Sequence, residues 1–349
     1  MTTLKQDPPP RVVIVDDSIF FRFQLTTRLT RAGWRIDATL PSGEEAVARI
    51  PDIQPDLVLM DVNMPGMGGM EAVRTLRRHW RGPIVMMSAA NEAGVRATWE
   101  ALDAGANDFI AKPDTERPFD DMVQQILERG GSIASRIRSG GGLSGGGATP
   151  GKVRTENFRA VVIGASTGGP RALSHLLSGW RSRPSIPILI VQHMPPGFTR
   201  SFADRLSAIL DYPVTESPPD GTPLSLRGAP VVVAAGGRHL RLGAGACWSE
   251  PGERRHGVIP SLDVTLGDAA DVYGKSVAVV VLTGMGDDGA DGAWACRQRG
   301  AAVVVESRES ALVWGMPGAV VTKGAADAEW PLGQISAWLE QVVTHDRRV

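Results

Sequence analysis

Cysteine is nearly missing from this chain of 349 residues. Only Cys247 and Cys296 occur, in no metal-like spacing, so a disulfide-dense scaffold is excluded and a cytoplasmic localisation is expected. An excess of one charge is missing too. The net charge of −1 gives no case for nucleic acid or for an anionic membrane surface. No apolar run approaches the roughly 18 residues that a membrane span needs, so no direct membrane insertion is expected. Residues 1–11 are polar and proline-rich, without the apolar core of a signal peptide.

What is present is ordinary for a soluble globular protein, 42% hydrophobic with 21% charged residues, and the length predicts about two domains. One break stands out. Residues 139–151 are almost all glycine and small residues, which bury too little apolar surface to offset their ordering entropy. We therefore expect a domain at 10–130, a flexible Gly/Ser-rich linker at 131–157 and a second domain at 158–345. Both halves alternate short apolar runs with segments of helical period, the pattern of parallel α/β sheets. In the first half the runs are 11–15, 57–60, 84–87 and 108–110; in the second they are 160–163, 187–192, 231–234, 277–283 and 301–305.

Polar residues follow each strand-like run of the first half. Asp16-Asp17 follow the first, Asp61 the second, Ser88 the third and Lys112-Pro113 the fourth. Open α/β sheets place their sites at these carboxyl ends. Three converging carboxylates repel one another unless a hard divalent cation such as Mg²⁺ neutralises them. Strand-end acids are also common as helix caps and turn formers, but the ordered set of acid pair, Asp, Ser and Lys-Pro argues against that reading.

The set resembles the receiver domain of two-component response regulators over about residues 11–130. The resemblance implies a flavodoxin-like fold in which Asp61 accepts a phosphoryl group from a CheA-type histidine kinase. Asp17, Asp61 and the carbonyl of Asn63 would bind Mg²⁺, with Asp16 helping. Ser88 and Lys112 would contact the phosphoryl oxygens, and Phe109 stands where a coupling aromatic is often found.

The second half opens with Gly164-Ala165-Ser166-Thr167-Gly168-Gly169 between a strand-like run and a helix-like stretch. A serine on such a turn is either a nucleophile or part of a phosphate cradle. A phosphate loop would end in Gly-Lys-Ser/Thr, and Gly168-Gly169-Pro170 lacks the lysine. A nucleophile needs a base. Of six histidines, His79 and His345 lie in a charged helix end and the C-terminal tail, His175 lies on the following helix, and His239 and His256 lie in polar, Arg-rich loops or hairpins. His193 instead ends the run 187–192, at the sheet edge that Ser166 shares if the two strands are neighbours. The third strand-end motif, Thr283-Gly284-Met285-Gly286-Asp287-Asp288-Gly289, offers bare N–H groups for an oxyanion and a carboxylate to orient the imidazole. Spacing does not choose between Asp287 and Asp288.

The motifs GASTGGP, QHMPPGFT and LTGMGDDGADG, with PSLDV at 260–264 and GMP at 315–317, resemble the catalytic domain of the chemotaxis protein-glutamate methylesterase family, CheB, over 158–343. The resemblance implies a Rossmann-like α/β domain with Ser166 as nucleophile, His193 as general base and acid, and Asp288 as orienting carboxylate. It makes the backbone N–H of Met285 the oxyanion donor and puts Thr167 close to the site. The reaction would be hydrolysis of glutamate methyl esters on methyl-accepting chemoreceptors, releasing methanol, with deamidation of receptor glutamines and no cofactor for either. Alternatives are the same enzyme in a non-motility pathway and a phosphorylation-dependent adaptor without catalysis. One segment departs from the family: before Gly-Met-Pro the family has Gln or Asn, acids and then Tyr or Phe, whereas this chain has Glu306-Ser307-Arg308 and Trp314.

Overall fold

The computed structural model describes residues 9–115, 118–138, 153–180, 182–228 and 231–344. The chain divides into two compact units, Met1–Gly142 and Leu143–Val349. The glycine-rich stretch 139–151 lies outside the described residues.

The first unit is a parallel sheet of β1 (Arg11–Val15), β2 (Arg35–Leu40), β3 (Leu57–Asp61), β4 (Ile84–Ser88) and β5 (Asp108–Ala111), in the order β2-β1-β3-β4-β5. Helices α1 (Ile19–Arg31), α2 (Gly43–Ile53), α3 (Gly69–Leu76), α4 (Glu92–Asp103), α5 (Phe119–Gln125) and α6 (Gly131–Arg138) connect and follow the strands. β3 and β4 are buried along their whole length, which is why they read as continuous apolar runs. β2 did not announce itself. It is an edge strand of mixed sequence, RIDATL, with only Leu40 fully buried. The segment expected to be linker from 131 begins as helix, since α6 runs to Arg138.

The second unit holds β6 (Ala160–Ala165), α7 (Gly169–Leu177), β7 (Ile188–Gln192), α8 (Phe198–Leu210), β8 (Val214–Glu216), β9 (Leu224–Ser225) and β10 (Val231–Val233). It continues through β11 (His239–Gly243), β12 (Ala246–Glu250), α9 (Leu262–Tyr273), β13 (Val277–Val281), α10 (Ala290–Gln298) and β14 (Ala302–Glu306). α11 (Gly315–Thr322), β15 (Ala328–Trp330) and α12 (Leu332–Thr344) complete it. Seven strands form a parallel sheet, β15-β14-β13-β6-β7-β10-β8, and β11-β12-β9 form a small antiparallel one. The stretch around His239 does form a hairpin, β11–β12.

β6 lies at the centre of the large sheet, flanked by β7 on one side and β13 on the other. The chain leaves β6 toward β7 and only later returns to build the opposite half. Open α/β sheets place their sites at such a reversal, here the carboxyl ends of β6, β7 and β13. β6, β7 and β13 are buried throughout, and each fully buried Val, Leu or Ile side chain contributes about 1.5–3 kcal/mol. The strands that carry these ends are therefore firmly packed. Among the described residues no helix is long and apolar enough to cross a membrane.

Candidate active site and acidic pocket

Main-chain hydrogen bonds lace the three strand ends together. Ser166 N–H donates to Thr283 O (3.0 Å), and His193 N–H donates to Ala165 O (3.0 Å). Gln192 Nε2 donates to Ser166 O at 2.9 Å, bracing the turn that carries the serine. This contact requires Gly169, where a Cβ would lie 2.0 Å from Gln192 Oε1. Gly168, at φ +75°, turns the chain into α7. Ser166 is thus held between β6 and α7 by bonds that leave its side chain out of the ladder.

His193 Nε2 meets Asp288 Oδ2 at 2.7 Å, with both side chains almost fully buried. His193 Nδ1, the remaining ring nitrogen, is buried without a hydrogen-bond partner, as are Thr167 Oγ1 and Gln192 Oε1. These are three unfilled polar positions on residues flanking the Ser166 turn. No Ser166–His193 hydrogen bond forms in this structure, in keeping with catalytic bonds that tighten only when substrate is present.

Asp288 is held by more than the histidine. Its Oδ1 accepts from Ser261 Oγ (2.6 Å) and from Asp263 N–H (3.1 Å), and its Oδ2 accepts from Leu262 N–H (2.6 Å). These donors form the N-terminus of α9, where the helix dipole favours an anion. Burial pushes the Asp288 carboxyl up. The hydrogen bond and charge of His193, with Ser261 and Leu262, outweigh it and hold the group below the usual carboxylate range. Asp287 faces the other way, with a side chain 65% exposed. The arrangement separates two adjacent aspartates that spacing could not. The Ser261 and α9 donors were missed as functional positions; their signal was a Ser-Leu-Asp run opening an apolar helical segment.

The turn after β13 is built around Gly284. A Cβ there would lie 2.8 Å from that of Ser166 and 2.3 Å from Met316 Sδ, so the backbone passes directly beside the serine. Met285 lies between Gly284 and Gly286, the latter at φ +84°. Glu306, buried at the end of β14, accepts from Thr283 N–H (2.8 Å) and Ser310 Oγ (2.9 Å). Trp314 Nε1 donates to Glu306 O (3.0 Å), and Gly284 N–H donates to Val313 O (2.9 Å). The departing loop 306–314 is thereby fastened to the turn beside Ser166.

In the first unit, the strand order puts the ends of β1 and β3 side by side. Lys112 Nζ lies 2.8 Å from both Asp16 Oδ2 and Asp61 Oδ2. Carboxylate oxygens of Asp16, Asp17 and Asp61 lie within 4.8 Å of one another. An all-oxygen set of this kind fits a hard divalent cation. Burial pushes the Asp61 carboxyl up to about 6, against the charge and hydrogen bond of Lys112. Asn63 N–H donates to Asp61 Oδ1 at 3.3 Å, bringing the Asn63 main chain beside the acid. The Ser88 hydroxyl is turned aside and donates to Gly94 O at 2.9 Å. Phe109 packs inward, 3% exposed, edge-on to Trp99.

Both sites fall within segments that match known families. The profile of the CheB methylesterase family matches residues 161–339, and that of the response regulator receiver domain matches residues 12–124. A protein-glutamate methylesterase/protein-glutamine glutaminase of Archaeoglobus fulgidus is 34% identical, covering 93% of this chain and 96% of its own. One from Nocardioides is 37% identical over 93% of each chain. Of solved structures, the Thermotoga maritima CheB methylesterase catalytic domain is 36% identical over 54% of this chain and all of that one, with a TM-score of 0.49.

Proposed function

The chain belongs to the CheB methylesterase family, and from that premise we propose that Ser166, His193 and Asp288 are the triad of a serine hydrolase acting on chemoreceptors. It is a protein-glutamate methylesterase/protein-glutamine glutaminase that carries a response-regulator receiver domain. The observation that carries the proposal is the buried 2.7 Å His193–Asp288 contact at the strand end adjoining that of Ser166.

Ser166 Oγ attacks the γ-carbonyl of a methylated glutamate while His193 Nδ1 takes its proton. Asp288 holds the opposite nitrogen and stabilises the imidazolium that forms. The Met285 N–H, beside Thr167, receives the oxyanion. Collapse expels methanol, which takes the proton from His193. The glutamyl ester on Ser166 is then cleaved by a water that His193 deprotonates, and the serine recovers its proton. Glutamine follows the same course with ammonia leaving.

In the receiver, Asp61 accepts a phosphoryl group from a CheA-type histidine kinase. Lys112 neutralises charge on the transferring group, and Ser88 reaches it after giving up its bond to Gly94. Asp17, Asp61 and the Asn63 carbonyl, with Asp16, would hold a Mg²⁺ that offsets the charge building on that group. Control runs from this switch to the esterase. Phosphorylation of Asp61 raises the rate at which Ser166 acts on receptors. The enzyme works in the cytoplasm, in adaptation of a chemosensory pathway.

The test is methanol release from methyl-esterified chemoreceptor membranes with and without acetyl phosphate. Release should vanish in Ser166→Ala and lose its response to acetyl phosphate in Asp61→Asn. Release that persists in Ser166→Ala would end the serine-hydrolase reading.

A further inference from the structure

A second histidine lies behind Asp288 in a setting that the hydrolytic steps do not use. His256, in the loop after β12, has both ring nitrogens against carboxylates. Nε2 is 3.0 Å from Asp263 Oδ2, an ion-pair contact without hydrogen-bond geometry, and Nδ1 is 3.0 Å from Asp287 Oδ1. The backbone at His256 is left-handed, at φ 51°, a conformation that a non-glycine residue holds only when its surroundings impose it.

Asp263 is 3% exposed and joins two helices. Its backbone N–H donates to Asp288 Oδ1, and its own Oδ1 accepts from Gly292 N–H at 2.6 Å. Glycines allow α9 and α10 to touch here: a Cβ on Gly292 would lie 3.2 Å from Asp263 Cα, and one on Gly289 would lie 2.4 Å from Leu262. Asp287 sits on the turn that leads to Asp288. His256 therefore spans the two segments whose approach puts Ser261, Leu262 and the Asp263 N–H against Asp288.

Arg255 and Lys323 pair with the same group of acids. Arg255 lies 4.0 Å from Asp263 and 3.8 Å from Asp291, and Lys323 pairs with Asp291. Donor atoms of His256, Asp263 and Asp291 lie within 4.8 Å of one another, as metal ligands could. Arg255 and Lys323 pair with these acids, so an ion-pair network accounts for the cluster.

We propose that His256 is a positioning residue of the triad: by tying Asp263 to Asp287 across the α9–α10 contact, it keeps three donors on Asp288 and so keeps Asp288 aligned on His193. This rests on the triad reading above. His256 touches no reacting atom. Its removal lets the α9 N-terminus withdraw, and the carboxylate then holds the imidazolium less well.

The test uses the full-length chain with methyl-esterified receptor membranes, comparing wild type, His256→Ala and His256→Gln across pH. In His256→Ala, kcat should fall about 10- to 100-fold, with KM within twofold. The acid limb of kcat/KM should move to lower pH, because an imidazolium with a looser carboxylate is lost more readily. His256→Gln, which keeps one donor, should recover part of the rate. A second readout needs no turnover. The low-field proton resonance of the His193–Asp288 hydrogen bond, identified by its loss in His193→Ala, should shift in His256→Ala. An unmoved resonance, or a rate loss with an unchanged pH profile that follows the folded fraction, would overturn the proposal. A wild type without Ser166-dependent release would instead count against the triad reading, and the resonance would still decide the role of His256.

Discussion

His193 meets Asp288 through Nε2, at 2.7 Å, which leaves Nδ1 as the nitrogen free to exchange a proton with Ser166. Nothing local dictates this polarity. It follows from where β7 and the turn after β13 place the two side chains, and it makes the orienting contact fully buried before substrate arrives.

The buried contact predicts a steep cost for changing Asp288. Asp288→Asn retains the shape, but its NH₂ in place of one oxygen opposes donors that now point at a carboxylate. Methanol release should fall about 10³- to 10⁴-fold while far-UV circular dichroism stays native. A loss below tenfold would mean that Asp288 does not orient the base.

Gly284 offers a test that leaves every triad side chain in place. In Gly284→Ala the new methyl meets Met316 Sδ at 2.3 Å and the Ser166 Cβ at 2.8 Å. The turn must shift, and the N–H of Met285 moves with it. We expect kcat to drop about 100-fold, with KM little changed. A full-rate variant would show that this turn does not serve the reaction.

The Glu306 carboxylate is expected to act through hydrogen bonds to the turn and not through its charge. Glu306→Ala strips the acceptors from Thr283 N–H and the Ser310 hydroxyl, costing about 2–4 kcal/mol of unfolding free energy in denaturant. Glu306→Gln keeps one acceptor oxygen and should cost about 1 kcal/mol. Equal losses in both variants would point to the charge instead.

Asp61 gives a pH dependence of opposite sign to that of an ordinary ion-paired acid. Burial raises its carboxyl from 3.8 to about 6, so the folded receiver keeps the proton longer than the unfolded chain does. The stability contributed by this group is present below about 4 and is lost as pH rises through 6. In EDTA, Asp61→Asn should therefore stabilise the receiver at pH 8 by roughly 1–3 kcal/mol and by almost nothing at pH 4. Denaturant melts showing equal benefit at both pH values would exclude this account.

Legibility followed burial. β6, β7 and β13 sit at the centre of the sheet, covered on both faces, so their apolar runs were readable without partners. β2, β8 and β15 form sheet edges, and β9, β11 and β12 lie outside the large sheet. Those strands alternate or shorten, and local pattern passed over all but the hairpin at β11–β12. The same division holds at the sites. Ser166, His193, Asp61 and Lys112 each follow a strand and were visible as strand-end residues. Ser261, Asp263 and Glu306 act by reaching across to another element, and no local pattern encodes such a reach.

By itself the amino-acid sequence determined the chemistry available: a serine, a histidine and an acid pair after three strands, and carboxylates, a serine and one lysine after four others. Local hydrophobic periodicity and glycine placement suffice for that, because they depend on neighbours a few residues away. The family resemblance already implied Asp288 over Asp287; only the tertiary structure decided which ring nitrogen of His193 it takes and which donors hold it. Those outcomes depend on strand order and on a helix N-terminus contributed by a distant segment. Such non-local packing is set by the fold as a whole, where the crowding of Gly284, Gly289 and Gly292 leaves Asp288 inside and Asp287 out.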